Sequence, residues 1–140
     1  MKSSFLYLFI SLPVLLCGQN SFFKSYGGPG NDFGESVITS TDSCYVAIGA
    51  SESFGNGATD LYAFKVDTGG SYIWSKTFGG VGGFNNRVQD IVIDSNDFVI
   101  TVGQITGNTN FSTVGGDTID FGANEYNWVL KIKSDTGLIE

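Results

Sequence analysis

Two Asp-Thr-Gly triplets stand in the chain, Asp67-Thr68-Gly69 and Asp135-Thr136-Gly137. Paired triplets of this kind are how an aspartic protease sets two carboxylates over one water. That chemistry needs apolar residues before each aspartate, so that the carboxyls are held in a desolvated place. Here Lys133-Ser134 precedes the second triplet, and Lys65 lies two residues before the first. Both triplets also follow strand-like runs, where Asp and Gly build a turn. The turn reading prevails, and no catalytic residue is expected.

The acid-rich turn Asp94-Ser95-Asn96-Asp97 offers the oxygens of Asp94, Asn96 and Asp97 to a metal. Asn31, Asp32 and Glu35 form a second such set, and Asp117 with Asp120 a third. Calcium is the ion these ligands suit, but it takes about six to eight oxygens, and no run of alternating acids ends in a bidentate glutamate. Asp and Asn in turns ordinarily bond their own backbone. Calcium therefore stays open as a cofactor, and no other is expected. The glycine-rich run 27–34 lacks the Lys-Ser/Thr of a phosphate loop and leads into a strand, not a helix. Cys44 has no histidine in the chain to activate it and reads as a small buried strand residue. No particular pair of carboxylates is placed together for glycoside hydrolysis.

The elements that must position these residues repeat. Trp74-Ser75-Lys76-Thr77-Phe78-Gly79-Gly80 is an echo of Phe22-Phe23-Lys24-Ser25-Tyr26-Gly27-Gly28, offset by 52 residues (76 − 24). Side chains one, three and five of each run (Trp74, Lys76 and Phe78; Phe22, Lys24 and Tyr26) point to one face of a strand. The double glycine after each (Gly79-Gly80 and Gly27-Gly28) suits a turn or a close backbone approach. Strands are predicted over 21–26, 35–40, 44–50, 60–66 and 72–78, and again over 88–93, 98–103 and 127–132. In the second pass Gly103 answers Gly49, Lys131-Ile132 answers Lys65-Val66, and Asp135-Thr136-Gly137 answers Asp67-Thr68-Gly69. The loop 104–124 holds room for a short hairpin around Gly115-Gly116. No window beyond the N-terminal apolar run has a period of 3.6, so the expected class is all-β, without helix. A period near 50 built of strands alone points to antiparallel four-stranded propeller blades, about two of them and not a complete ring.

These motifs resemble the β-propeller repeat of secreted bacterial proteins often called SBBP. They are Trp-x-Lys-x-Phe-Gly-Gly, an Asp-x-x-Asp turn, a strand ending in Val-Gly, and Phe-Lys-Val-Asp-x-x-Gly. The resemblance covers roughly residues 22 to 137. It implies a propeller module and no particular enzymatic activity; this chain departs from the family in holding fewer than two complete units.

Composition agrees with a turn-dense aromatic β protein: 20 glycines, 12 Phe, 6 Tyr and 2 Trp in 140 residues, glycine being about twice its ordinary usage. The net charge of −7 argues against nucleic acid or an anionic membrane as partner. Residues 1–18 read as an export signal: Lys2, then apolar residues through Leu16, then Cys17-Gly18. The apolar run is too short to span a bilayer. Secretion or a place at the cell surface or in the periplasm is expected, with Gln19 at the mature N-terminus. A lipidated Cys17 is the lesser alternative, because Leu16 stands where a lipobox has a small residue. Residues 19–80 then form a first unit with a leading closing strand, and 81–140 a second unit lacking its last strand.

The expected function is binding or surface scaffolding without catalysis, as a module in itself or as a fragment of a longer propeller. The runner-up is a carbohydrate-active or lectin-like propeller, with Phe54 and Phe111 stacking on sugars. Loops 51–59 and 104–124 are the expected contact surfaces for protein or glycan ligands. Two blades cannot close a ring, which takes about four to eight. Other copies of the chain, three or four in a head-to-tail ring, or further propeller blades are therefore the expected partners, the strand 22–26 of one copy completing the last unit of the next.

Overall fold

The computed structural model describes residues 21–55, 57–79, 82–85, 87–106, 110–112, 118–120 and 125–139. Alternating apolar residues set the strands. In chain order these are β1 (Asp32–Thr39), β2 (Tyr45–Ser51), β3 (Gly57–Val66), β4 (Tyr72–Phe78), β5 (Gly82–Asn85), β6 (Arg87–Ile93), β7 (Phe98–Thr106), β8 (Asn110–Ser112), β9 (Thr118–Asp120) and β10 (Glu125–Lys133). No helix occurs among the described residues. The first sheet is the antiparallel meander β1-β2-β3-β4, with β5 added parallel to the start of β3. The second is β6-β7-β10, also antiparallel, and β8 pairs with β9 in the connection between β7 and β10. That short pair brackets the hairpin expected around Gly115-Gly116, which itself lies outside the described residues. No sheet closes on itself among the described strands.

The two sheets are built to one plan. Each first ladder carries an irregularity at the same place, between Gly34 and Ser36 in one and between Val88 and Asp90 in the other, an offset of 54 (88 − 34). Each first hairpin turns through a non-glycine residue in the left-handed region, Ser43 at φ 67° and Asp97 at φ 63°. Ser40 N–H donates to Cys44 O, and Asp94 N–H to Phe98 O, both at 2.9 Å. Gly49 faces Tyr62 across its ladder as Gly103 faces Trp128. The third strands are related by 66 residues (128 − 62). Where a fourth strand of the second sheet would start, Ile139 makes one bridge to Ile132.

The sheets stack so that the back of the first meets the front of the second. Val46, Ile48, Leu61, Ala63 and Phe78 from one side close on Val88, Ile91, Val99, Leu130 and Ile132 from the other, with Trp74 and Trp128 packed at the margin. Burying each such aliphatic side chain stabilises by about 1.5–3 kcal/mol. Polar bonds fix the stacking: Thr41 N–H donates to Asp97 Oδ1 at 3.0 Å, and the Trp74 indole N–H to Ser134 O at 2.9 Å.

Two sequence expectations need correction. Residues 21–26 form no strand. A strand needs a neighbour's edge to bond its backbone, and this segment lies instead against the front face of the first sheet. There Tyr26 O–H donates to Gly70 O at 2.9 Å, and its ring packs on Phe64 and Tyr72. The second correction concerns the triplets. Asp67 N–H donates to Ser71 O, and the position doing the same after the third strand of the second sheet is Lys133, whose N–H donates to Leu138 O. The later turn is one residue longer, so Asp135-Thr136-Gly137 is out of step with Asp67-Thr68-Gly69, and it is Gly70 (φ 75°) and Gly137 (φ 68°) that correspond.

Candidate functional site

A cleft of about 700 Å³ lies where the first strands of the two sheets run side by side. Phe33 and Glu35 of β1, Ala50 of β2, Glu52 just after it, Thr59 of β3, and Arg87, Val88 and Gln89 of β6 line it. Phe33 and Arg87 hold equivalent positions in the repeat, as do Glu35 and Gln89, so each sheet lends the same part of its first strand. The side chains supply two carboxylates, a guanidinium, an amide and a half-exposed phenyl face. Glu52 is oriented by the Asn31 amide, whose Nδ2 donates to Glu52 Oε2 at 2.7 Å. Such a set suits a hydroxyl-rich ligand, which takes planar hydrogen-bonding groups beside an apolar face.

A second polar cluster lies between the sheets at the other end of β3. Lys65, 1% exposed, donates to Asp42 Oδ2 at 2.8 Å and to Ser134 Oγ at 3.1 Å. A lysine beside a serine hydroxyl is the hardware of a nucleophilic serine with an amine base. Here the lysine is ion-paired and the hydroxyl is buried. It acts as a structural latch. Asp42 is held well below the usual carboxylate range, first by the Lys65 hydrogen bond and then by that of Ser40. Burial pushes the neighbouring Cys44 thiol up, and the Asp42 charge adds to this, so the thiol stays protonated.

The calcium candidates are taken up by protein donors. Asp94 Oδ1 accepts from the backbone N–H of Asn96 at 2.8 Å and of Phe98 at 3.0 Å, and its other oxygen faces Lys131 at 3.6 Å. Asp97 serves the neighbouring sheet through Thr41, and hydrogen bonds from Thr41 and Ser134 outweigh burial to hold its carboxyl low. Asp32 accepts from Gly28 N–H and from the hydroxyls of Ser51 and Ser53, which likewise overcome burial and lower it. Among the described residues, no three His, Cys, Asp or Glu side chains gather as a metal site. Asp60, buried at the start of β3 against Gly55 and Gly79, lies five residues from Lys65, about 17 Å along the strand. Asp32, Asp60 and the Asp94–Asp97 turn thus lie on separate elements, while Glu35 and Glu52 both line the cleft. Asp67 caps its own turn, accepting from Gly69 and Ser71 N–H, while Asp135 is exposed. Asp117 lies outside the described residues.

The repeated aromatic–lysine motif is structural. Phe78 is in the core, and Trp74 and Lys76 of β4 lie against Gly137, whose place a Cβ would fill at 2.8 Å from the Trp74 ring. Gly79 gives way to the Asp60 carboxylate. In the earlier copy, Phe22 and Tyr26 lie against Gly70 in the same manner, Lys24 is exposed, Gly27 abuts Asp32, and Gly28 donates to it. Gly80 and Phe111 lie outside the residues whose side chains are described. Phe54, the sugar-stacking candidate of the runner-up reading, packs on Tyr62 at 4.9 Å between ring centres and keeps 37% of its surface exposed.

Sequence reasoning missed the cleft. Its signal was the repeat itself, since residues 54 apart on first strands become neighbours when the sheets stack. Among the described residues, no helix is long and apolar enough to cross a membrane. Compared with known proteins, the chain matches no family model and no curated protein.

Proposed function

We propose that this chain is an exported, non-enzymatic repeat module of the β-propeller type, resembling SBBP-type repeats, whose two sheets are successive blades and whose task is binding or scaffolding at the cell surface. The observation that carries this reading is the front-to-back stacking of two sheets that share bulge, turn and glycine positions. Repeat units of this kind bury their faces only against neighbours. The buried, ion-paired state of Lys65 favours a structural role over catalysis at that cluster, and the Glu35 and Glu52 carboxylates of the cleft are what the test below examines for cleavage.

The cleft of Phe33, Glu35, Glu52, Arg87 and Gln89 favours one specific version, a lectin-like grip on a glycan. The test sets wild type beside Glu35→Gln and Arg87→Ala, with soluble oligosaccharides, by titration calorimetry and by product analysis. The expected result is saturable binding without bond cleavage, weakened on the order of tenfold in Arg87→Ala, as loss of a charge-assisted hydrogen bond implies. Glycoside cleavage that Glu35→Gln abolishes would replace the scaffold reading by the enzymatic one.

A further inference from the structure

We infer that the outer faces of the two sheets are the two halves of one interface, by which a second copy of this chain docks head to tail; this rests on the blade reading above. The repeat offsets say which residues meet. In the interface already formed, the back of the first sheet presents Val46, Ile48, Ala63 and Lys65. The same positions of the second sheet are Ile100, Val102, Val129 and Lys131. These are open: Val129 is 73% exposed and Val102 39%, with Val92 beside them at 52%. Such a cluster of exposed β-branched residues on one sheet face marks a contact surface.

The complementary half is the front of the first sheet. Leu130 and Trp128, which face the core on the second sheet, correspond to Phe64 and Tyr62 on the first. With Tyr26 and Tyr72 these rings form a contiguous cluster, centres 4.9 to 5.6 Å apart. The segment bearing Phe22 and Tyr26 lies over one side of them and Phe54 packs on Tyr62, and Phe23 is fully exposed.

That segment identifies the occupant. Phe22 stands against the Gly70 turn as Trp74 of β4 stands against the Gly137 turn, and the 52-residue repeat then aligns Lys24 with Lys76 and Tyr26 with Phe78. The segment therefore occupies the place of a fourth strand belonging to a preceding sheet. The fitting preceding sheet is β6-β7-β10 of another copy, whose β10 is bridged on its outer edge by Ile139. Carrying over the β3–β4 register, in which Leu61 faces Phe78, Ala63 faces Lys76 and Lys65 faces Trp74, pairs Asn127 with Tyr26, Val129 with Lys24, and Lys131 with Phe22 of the second copy. Lys131 would then reach the Asp67-Thr68 turn of that copy, as Lys65 reaches Ser134 within one chain. Segment 22–26 gains the ladder that it lacks alone.

Sedimentation of residues 19–140 as a function of concentration should show a species of three or four protomers. Val129→Lys, a change on an exposed position, should weaken association by at least ~10-fold by setting a second ammonium opposite Lys24 across the ladder, while the circular-dichroism spectrum is unchanged. Site-specific evidence comes from mixing two singly substituted proteins in a Cys44→Ser background. Lys24→Cys with Val129→Cys should give a mixed disulfide, their Cα atoms facing across a ladder within bonding range. Lys24→Cys with Val92→Cys, also exposed but on the far strand, should not. A wild type that stays monomeric at high micromolar concentration, or equal yields from both cysteine pairs, would overturn the interface. Either result leaves the glycan titration to decide the function, and glycoside cleavage there would leave this interface standing.

Discussion

Asp42→Ala should destabilise the protein by about 2–3 kcal/mol, while Lys65→Met should cost less than about 1 kcal/mol, although the two residues form one ion pair. The asymmetry follows from burial. Lys65 is 1% exposed and Asp42 52%. Removing the carboxylate leaves an ammonium inside the protein with the Ser134 hydroxyl as its remaining acceptor, and it also strips the acceptor for Ser40 O–H and Cys44 N–H. Because half of the Asp42 side chain is in water, the cost is set below that of a fully buried pair. Removing the lysine leaves a carboxylate that water solvates, and methionine fills most of the vacated volume. Chemical denaturation of both variants and of the double variant measures this; the double variant should recover most of the loss. A depressed carboxyl contributes stability above its unfolded pKa, about 3.9, which is lost as pH falls toward its lower folded value. Wild type should therefore lose stability on acidification below about pH 4, and Asp42→Asn should flatten that part of the profile. A Lys65→Met loss as large as that of Asp42→Ala would refute the latch.

Gly34 and Gly49 face each other in the β1–β2 ladder, yet alanine should have opposite effects at the two. At Gly49 a Cβ would run into the backbone carbonyl of Phe33, and at Gly103 into that of Arg87 and the Trp128 ring. Backbone cannot swing aside as a side chain can. Gly49→Ala and Gly103→Ala should each cost about 1–3 kcal/mol, the range for overpacking. At Gly34 a Cβ meets nothing within 4 Å, so Gly34→Ala should change stability by no more than about 0.5 kcal/mol. Unfolding midpoints on the three variants decide it. Equal losses at Gly34 and Gly49 would mean that strand glycines matter here for some reason other than space.

How far the sequence could be read depended on whether a signal was local. β4 has the bounds expected from its alternation, residues 72–78, and the all-β class followed from the absence of any 3.6 period. The same motif at 22–26 misled, because a strand is a pairing, and among the described residues this segment lies on a sheet face and pairs with no strand. The Asp-Thr-Gly triplets misled in another way: identical letters sit one place apart in turns of unequal length, and the backbone hydrogen bonds align Lys133 with Asp67. The reach of Lys65 to Ser134 was not legible, since that partner is 69 residues away on the other sheet. The cleft was hidden for the same reason: its walls come from first strands of separate repeats.

The central claim is that the repeat units stack front to back, and the Trp74 indole reports on it most directly. Its N–H donates to Ser134 O in the other sheet, and its ring lies against Gly137. In a proton NMR spectrum of residues 19–140, the account predicts an indole N–H of Trp74 that exchanges slowly with solvent, and Overhauser contacts from its ring to Gly137. An indole exchanging as fast as that of a free tryptophan, with no contact to Gly137, would show that the sheets do not stack in this way.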